Sequence, residues 1–286
     1  MDMLSVRGLT KRYERFTLDN VSFSLGEGYI MGFIGRNGAG KTTTLKSMLG
    51  LVHPDAGEVD ICGRDFAKNE LACKQDIGFV LGGFDYYPKS RLRAITSVQR
   101  RFYDGWNDEV YNKYLRRFEL DEDKKVEELS EGMKVKYALA LALSHNARLL
   151  ILDEPTSGLD PVSRDDLLEV FQHIIEDGAH SILFSTHITS DLDKCADFIT
   201  YIKDGKIIES ADRETLMGAY RMVRGTLEQL TGEVAGKLIG VKKNAFGFTA
   251  LARSENLSGL EGLEIAGADL ESIMIYTEHE DGGDTI

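Results

Sequence analysis

The chain has 286 residues, 42% of them apolar and 28% charged, which allows a sizeable packed core and excludes a disordered or fibrous chain. Its net charge of −13 is uneven: Ser254–Ile286 holds nine Asp or Glu and no Lys or Arg, leaving about −4 on the other residues. Neither part supplies a basic face, so composition points away from nucleic acid as a partner.

Leu4–Leu9 and Val21–Leu25 read as short strands joined by a polar, basic turn. Tyr29–Ile34 is a continuous apolar run, as expected of a strand buried on both faces. After Gly35, Lys41–Leu51 reads as a helix, with Leu45, Met48 and Leu49 on one face, and His53–Gly57 reads as a turn. Leu149–Leu152 and Ile182–Ser185 are two further buried strands with helical pattern between and after them. Such alternation predicts an α/β fold with a mostly parallel sheet.

The middle of the chain, about 83–144, differs in character. Val110, Tyr114 and Phe118 recur every four residues, and nine aromatics fall between Phe84 and Phe118: Phe84, Tyr86, Tyr87, Phe102, Tyr103, Trp106, Tyr111, Tyr114 and Phe118. Most of them are expected in the core of a small helical lobe. The non-periodic Phe84, Tyr86 and Tyr87 are candidates for a docking surface. Beyond about Met217 the pattern weakens to short strand-like pieces and a last helical segment, Ala268–Tyr276. The expected organisation is a main domain over 1–216 and a small acidic α+β appendage over 217–286.

Cys62, Cys73 and Cys195 form no CxxC and no metal-ligand spacing, which fits a reducing compartment. The charges at Asp2, Arg7, Lys11 and Arg12 precede no apolar segment, so no signal peptide is expected. The longest uncharged apolar stretches fall short of the roughly 18 residues of a spanning helix. A role at a membrane would have to run through a partner.

Three segments carry chemistry. Gly35-Arg36-Asn37-Gly38-Ala39-Gly40-Lys41-Thr42 fits G-x-x-x-x-G-K-[ST], followed by Thr43. Its glycines allow backbone N–H groups to converge on a phosphate at a helix N-terminus. Lys41 would reach the β- and γ-phosphates, and the Thr42 hydroxyl would bind Mg²⁺. Leu149–Glu154 then delivers two acids at a strand end: Asp153 is the natural Mg²⁺ partner and Glu154 is placed to take a proton from water. Because adjacent strand residues point to opposite sides, the two acids are expected to have different roles. Leu129-Ser130-Glu131-Gly132-Met133 opens another helical run, with Ser130 as N-cap and Gly132 allowing close backbone approach.

Ser130 stands 24 residues before Glu154. At that spacing the stretch resembles the LSGGQ signature of ATP-binding-cassette (ABC) ATPases, with Glu131 for Gly and Met133 for Gln. Further marks of that family follow in order. Ser157-Gly158-Leu159-Asp160 looks like its D-loop, His187 like its switch histidine, and Tyr13, 28 residues before Lys41, like the aromatic that stacks on adenine, with Phe16 as the rival. The other five histidines match no such position. One departure stands out: where the family has a Gln after the strand Ile77–Leu81, this chain has Gly82-Gly83, and Asp85 or a water is the expected substitute.

The resemblance covers about 1–215 and implies a P-loop NTPase core of ABC type with a helical signature lobe. It implies ATP and Mg²⁺ as cofactors, and a head-to-tail dimer in which Ser130 and Gly132 of one subunit cover ATP on the other. It further implies membrane-embedded permease subunits as partners and a cytoplasmic, peripheral location. Leu139–Pro155 and the short lobe resemble bacterial multidrug and antibiotic export subunits. The alternative is a soluble ABC ATPase acting on nucleic acid or ribosomes; such proteins usually carry two cassettes or a long coiled-coil insertion. Here there is one cassette, and Leu129 follows Lys41 by only 88 positions.

Overall fold

The computed structural model describes residues 2–81 and 87–279. Two compact units emerge, Met1–Ile208 and Glu209–Ile286.

The first unit opens with β1 (Asp2–Arg12), β2 (Thr17–Gly26) and β3 (Ile30–Ile34), then α1 (Lys41–Met48). The next elements are β4 (Ala56–Ile61), β5 (Arg64–Asp65), α2 (Glu70–Gln75) and β6 (Ile77–Leu81). Three helices follow: α3 (Leu92–Gln99), α4 (Asp108–Arg117) and α5 (Glu131–Ser144). The chain continues through β7 (Leu149–Asp153), α6 (Pro161–Ile175), β8 (Ser181–Thr186), α7 (Thr189–Cys195), β9 (Phe198–Lys203) and β10 (Lys206–Asp212).

An antiparallel sheet, β2-β1-β4-β5, packs beside a larger sheet ordered β10-β9-β3-β8-β7-β6. From β9 to β6 the pairing is parallel throughout. All five residues of β3 are buried, as are those of β7 and β8, because a parallel strand covered on both faces has no solvent side. The continuous apolar runs in the sequence are these central strands.

Helix α1 ends at Met48, three residues before the expected Leu51. Gly50 turns at φ +70°, and the N–H groups of Leu51 and Val52 both return to the Lys46 carbonyl. Leu45, Met48 and Leu49 are buried as their spacing implied.

The middle is helical, and its core is a polar knot inside an apolar shell. Thr96 on α3 donates or accepts at 2.7 Å with the Tyr111 hydroxyl of α4 and at 2.8 Å with the Tyr137 hydroxyl of α5. Tyr137 also donates to the Leu92 carbonyl at 2.9 Å, and Tyr111 to Glu122 at 3.1 Å. Burial pushes both phenols far above the ordinary tyrosine range, so they act only as neutral hydrogen-bonding groups. On α4 the buried residues are Tyr111 and Leu115, with Phe118 at its C-cap, whereas Tyr87 and Phe102 are exposed. Phe84 and Tyr86, like Gly82, Gly83 and Asp85, lie outside the described residues.

The second unit contains α8 (Arg213–Gly218), β11 (Tyr220–Gly225), α9 (Gly232–Ala235), β12 (Leu238–Asn244), β13 (Gly247–Arg253), β14 (Glu264–Gly267) and α10 (Leu270–Glu278). Its strands form an antiparallel sheet in the order β12-β13-β11-β14, with α10 against β12 and β13. Val223, Phe248, Ala250, Ala252 and Leu260 form a separate core.

Replacing Thr96 by Val removes the shared hydroxyl while keeping its shape, leaving two buried phenols short of a partner. Urea denaturation should show T96V destabilised by about 1–3 kcal/mol.

Candidate functional site

The loop between β3 and α1 contains the segment Gly35–Thr43. Two of its glycines are required by close approach. A Cβ on Gly35 would lie 2.3 Å from the Ile202 carbonyl oxygen, and Gly40 sits at φ +114° with Phe16 2.9 Å from where a Cβ would be. Arg36, Asn37 and Gly38 are exposed, Ala39 is buried, and Thr43 is half-buried on the first turn of α1. The Lys41 side chain folds back into the loop: its Nζ donates to the carbonyls of Gly35 (2.7 Å) and Arg36 (3.3 Å). The ammonium thus stands at the centre of the loop.

Parallel pairing of β3, β8 and β7 brings their C-terminal ends to one edge, where such sheets bind ligands. Asp153, the last residue of β7, pairs in register with Ser185 of β8. Its carboxylate is buried and accepts two hydrogen bonds, from the Thr42 hydroxyl at 2.8 Å and the Ser185 hydroxyl at 2.6 Å.

Glu154 follows the strand but leaves its path, adopting φ +50°. Its N–H donates to the Ser185 hydroxyl at 2.9 Å and carbonyl at 3.2 Å. The turn swings the Glu154 carboxylate to within 3.0 Å of Lys41 Nζ through one oxygen and 2.8 Å of His187 Nδ1 through the other. Strand alternation is therefore not what separates the two acids. Asp153 belongs to the Thr42 hydroxyl and Glu154 to Lys41 and His187, because the backbone turns between them.

Thr42 and Asp153 offer Mg²⁺ a hydroxyl and a carboxylate oxygen side by side, the oxygen donors this cation prefers. No group of three or more His, Cys, Asp or Glu suited to a metal occurs among the described residues. A magnesium ion here would complete its shell with phosphate oxygens and water, as is usual for nucleotide-bound Mg²⁺.

The remaining predicted residues surround this cluster. Tyr13 is 47% exposed, and its ring centroid lies 6.4 Å from that of Phe16, which in turn abuts Gly40. Lys11 Nζ stands 5.9 Å from the Tyr13 ring. Asp160 caps α6, accepting from the N–H groups of Val162 (3.0 Å) and Ser163 (3.1 Å) and from the Ser163 hydroxyl (2.6 Å). These bonds, that of the Ser163 hydroxyl foremost, hold its carboxyl below the usual range. Ser130 caps α5 by accepting from the Met133 N–H at 3.3 Å. A Cβ on the buried Gly132 would stand 3.7 Å from Leu159 and 3.8 Å from Ser163, so the start of α5 lies beside the start of α6.

Sequence reading missed Ser185, which both anchors Asp153 and holds the Glu154 backbone. It sits in a buried apolar strand, and its only signal was a hydroxyl at the strand end nearest two acids. Thr156 and Asp191 were missed as well: the Thr156 hydroxyl donates to the fully buried Asp191 at 2.6 Å.

The architecture and the Lys41, Asp153 and Glu154 cluster define a phosphate-loop nucleotide-binding domain. Residues 18–157 match the profile of the ABC transporter family. The chain is 32% identical over 210 residues to the bacitracin transport ATP-binding protein BcrA of Bacillus licheniformis, covering 72% of this chain and 69% of that protein. It is 35% identical over 216 residues to the Nod factor export ATP-binding protein I of Burkholderia orbicola, covering 73% and 70%. A solved ATP-binding subunit of an ABC transporter superposes with a TM-score of 0.67 at 27% identity, covering 75% of this chain and 91% of that one. The chain belongs to the ABC transporter family, as an ATP-binding subunit with the ABC ATPase fold. Among the described residues no helix is long and apolar enough to cross a membrane.

Replacing Ser185 by Ala removes both of its hydrogen bonds to the acids without altering the apolar packing of β8. Steady-state assays should show ATPase activity reduced about 10–100-fold, the usual cost of losing a group that orients a metal ligand, with a raised Mg²⁺ requirement.

Proposed function

We propose that the residues 35–43, 153, 154 and 187 bind and hydrolyse Mg-ATP, and that two subunits pair head to tail to complete each site. The supporting observation is the position of the Glu154 carboxylate, 3.0 Å from Lys41 and 2.8 Å from His187. In this reading the converging N–H groups of Gly35–Thr43 bind the phosphates and Lys41 neutralises them. Thr42 and Asp153 would hold Mg²⁺, which when bound would supply screening of phosphate charge. Once Lys41 turns to phosphate, Glu154 is released to accept a proton from the attacking water. His187, hydrogen-bonded to the other carboxylate oxygen, fixes the rotamer of Glu154. Tyr13, or Phe16 beneath it, offers an aromatic face to adenine.

Nothing in this set closes over the γ-phosphate. Ser130 and Gly132, at the donor-rich start of α5, supply such a lid from the second subunit, with Asp160 at the seam. A symmetric pair then has two composite sites, and nucleotide holds it closed until hydrolysis.

The work of this cycle goes to membrane-embedded permease subunits, with the chain peripheral on the cytoplasmic face. An apolar cavity of about 730 Å³, lined by residues including Phe79, Tyr87, Ile95, Val98, Phe102 and His145, suits an inserted apolar segment of such a partner. Tyr87 and Phe102 are strongly exposed at its rim. The bacitracin transport and Nod factor export named for the relatives favour export as the direction of transport. Residues 217–286, within the second unit Glu209–Ile286, are read as an accessory domain beyond the ATPase core.

Exchanging Glu154 for Gln keeps the side chain's size and abolishes the proton acceptor. ATPase assays should show turnover reduced on the order of 10²–10⁴-fold, while size-exclusion with Mg-ATP shows a stable dimer. Robust hydrolysis by E154Q would refute this assignment of the base.

A further inference from the structure

Asp191, the third residue of α7, is fully buried. One of its carboxylate oxygens accepts from the Thr156 hydroxyl at 2.6 Å and, at 3.4 Å, from the Thr186 hydroxyl. The other faces Arg164 Nε of α6 at 3.9 Å, and neither of these two atoms has a hydrogen-bond partner among the described residues. A buried carboxylate with one unsatisfied oxygen and a distant cation is a poor means of stabilisation; an apolar side chain of similar size would serve better.

The position of its contacts suggests another use. Thr156 begins the segment that runs through Ser157 to Asp160, and the Ser157 N–H bonds the Glu154 carbonyl at 3.1 Å. Thr186 ends β8 and directly precedes His187; its hydroxyl also accepts the Ile188 N–H at 3.0 Å, shaping the turn that carries the histidine. Arg164 lies one turn beyond Asp160 on α6. Asp191 therefore ties together three segments that sequence alone keeps apart: the loop after Glu154, the strand end bearing His187, and the helix capped by Asp160.

We propose that Asp191 is a positioning residue that locks the Thr156–Asp160 loop to the strand end carrying His187. The hydrolytic pair of one subunit and the loop facing its partner then move as one body. Among the described residues Asp191 makes no hydrogen bond or ion pair with the phosphate loop or Glu154. The inference rests on Glu154 and His187 being the hydrolytic pair.

The test compares D191N, T156V and the double variant T156V/D191L in the full-length protein. Thermal melting and steady-state kcat and KM for Mg-ATP are measured on each. The double variant removes the buried Thr156–Asp191 pair but leaves Thr186 and Arg164 without the carboxylate, so its melting temperature gives the folded fraction against which kcat is read. Its kcat should fall about 10–100-fold, with KM for ATP changed less than about twofold, since the phosphate loop is untouched. D191N, which keeps an oxygen acceptor for Thr156, should recover most of the turnover, and T156V should lie between.

Wild-type kcat in the folded double variant would overturn the proposal, as would a loss of kcat no larger than the loss of folded protein. If the double variant fails to fold, T156V decides in the same way: unchanged kcat at unchanged melting temperature overturns it. E154Q separates the two levels. An active E154Q removes the underlying assignment, whereas an inert E154Q beside a fully active T156V/D191L removes only Asp191.

Discussion

The site depends on one buried carboxylate suspended between two hydroxyls. Asp153 accepts from Thr42 on one side and Ser185 on the other, and each hydroxyl belongs to a different segment of the chain. Taking a carboxylate out of water is costly unless charge-assisted hydrogen bonds compensate, so Asp153 is held where both donors reach it. The strand order provides those donors. Because β8 lies between β3 and β7, the phosphate loop, Ser185 and the two acids all emerge at the same sheet edge. With β8 in the middle, Ser185 stands between the phosphate loop and the acids.

Much of this was legible in the sequence, for identifiable reasons. Strands buried on both faces write themselves as unbroken apolar runs, and β3, β7 and β8 are such runs. The phosphate loop is legible because its backbone demands glycine at fixed positions and its chemistry demands Lys and Thr. What stayed hidden depends on contacts between distant segments. Ser185 is an ordinary strand residue until β7 lies beside it. Asp191 resembles a surface acid on a short helix until Thr156, Thr186 and Arg164 close round it. The periodic Val110, Tyr114 and Phe118 mark the right helix, but Tyr111 and Leu115, one residue along, are its buried members.

Glu154 illustrates a different limit. Alternation along a strand would send it to the far side of the sheet from Asp153, yet both acids serve one site. A left-handed backbone at a residue other than glycine is unfavourable, and here two hydrogen bonds from its own N–H to Ser185 fix it. One serine thereby sets both the distance and the angle between Asp153 and Glu154. That the two acids find different partners follows from a single backbone torsion.

The contact between Lys41 and Glu154 ties two segments of the chain by charge as well as by shape. The phosphate loop follows β3 and Glu154 follows β7, with β8 between the two strands, so one ion pair of 3.0 Å spans the middle of the sheet. A substitution that reverses the charge at either residue would set like charges against each other across that span.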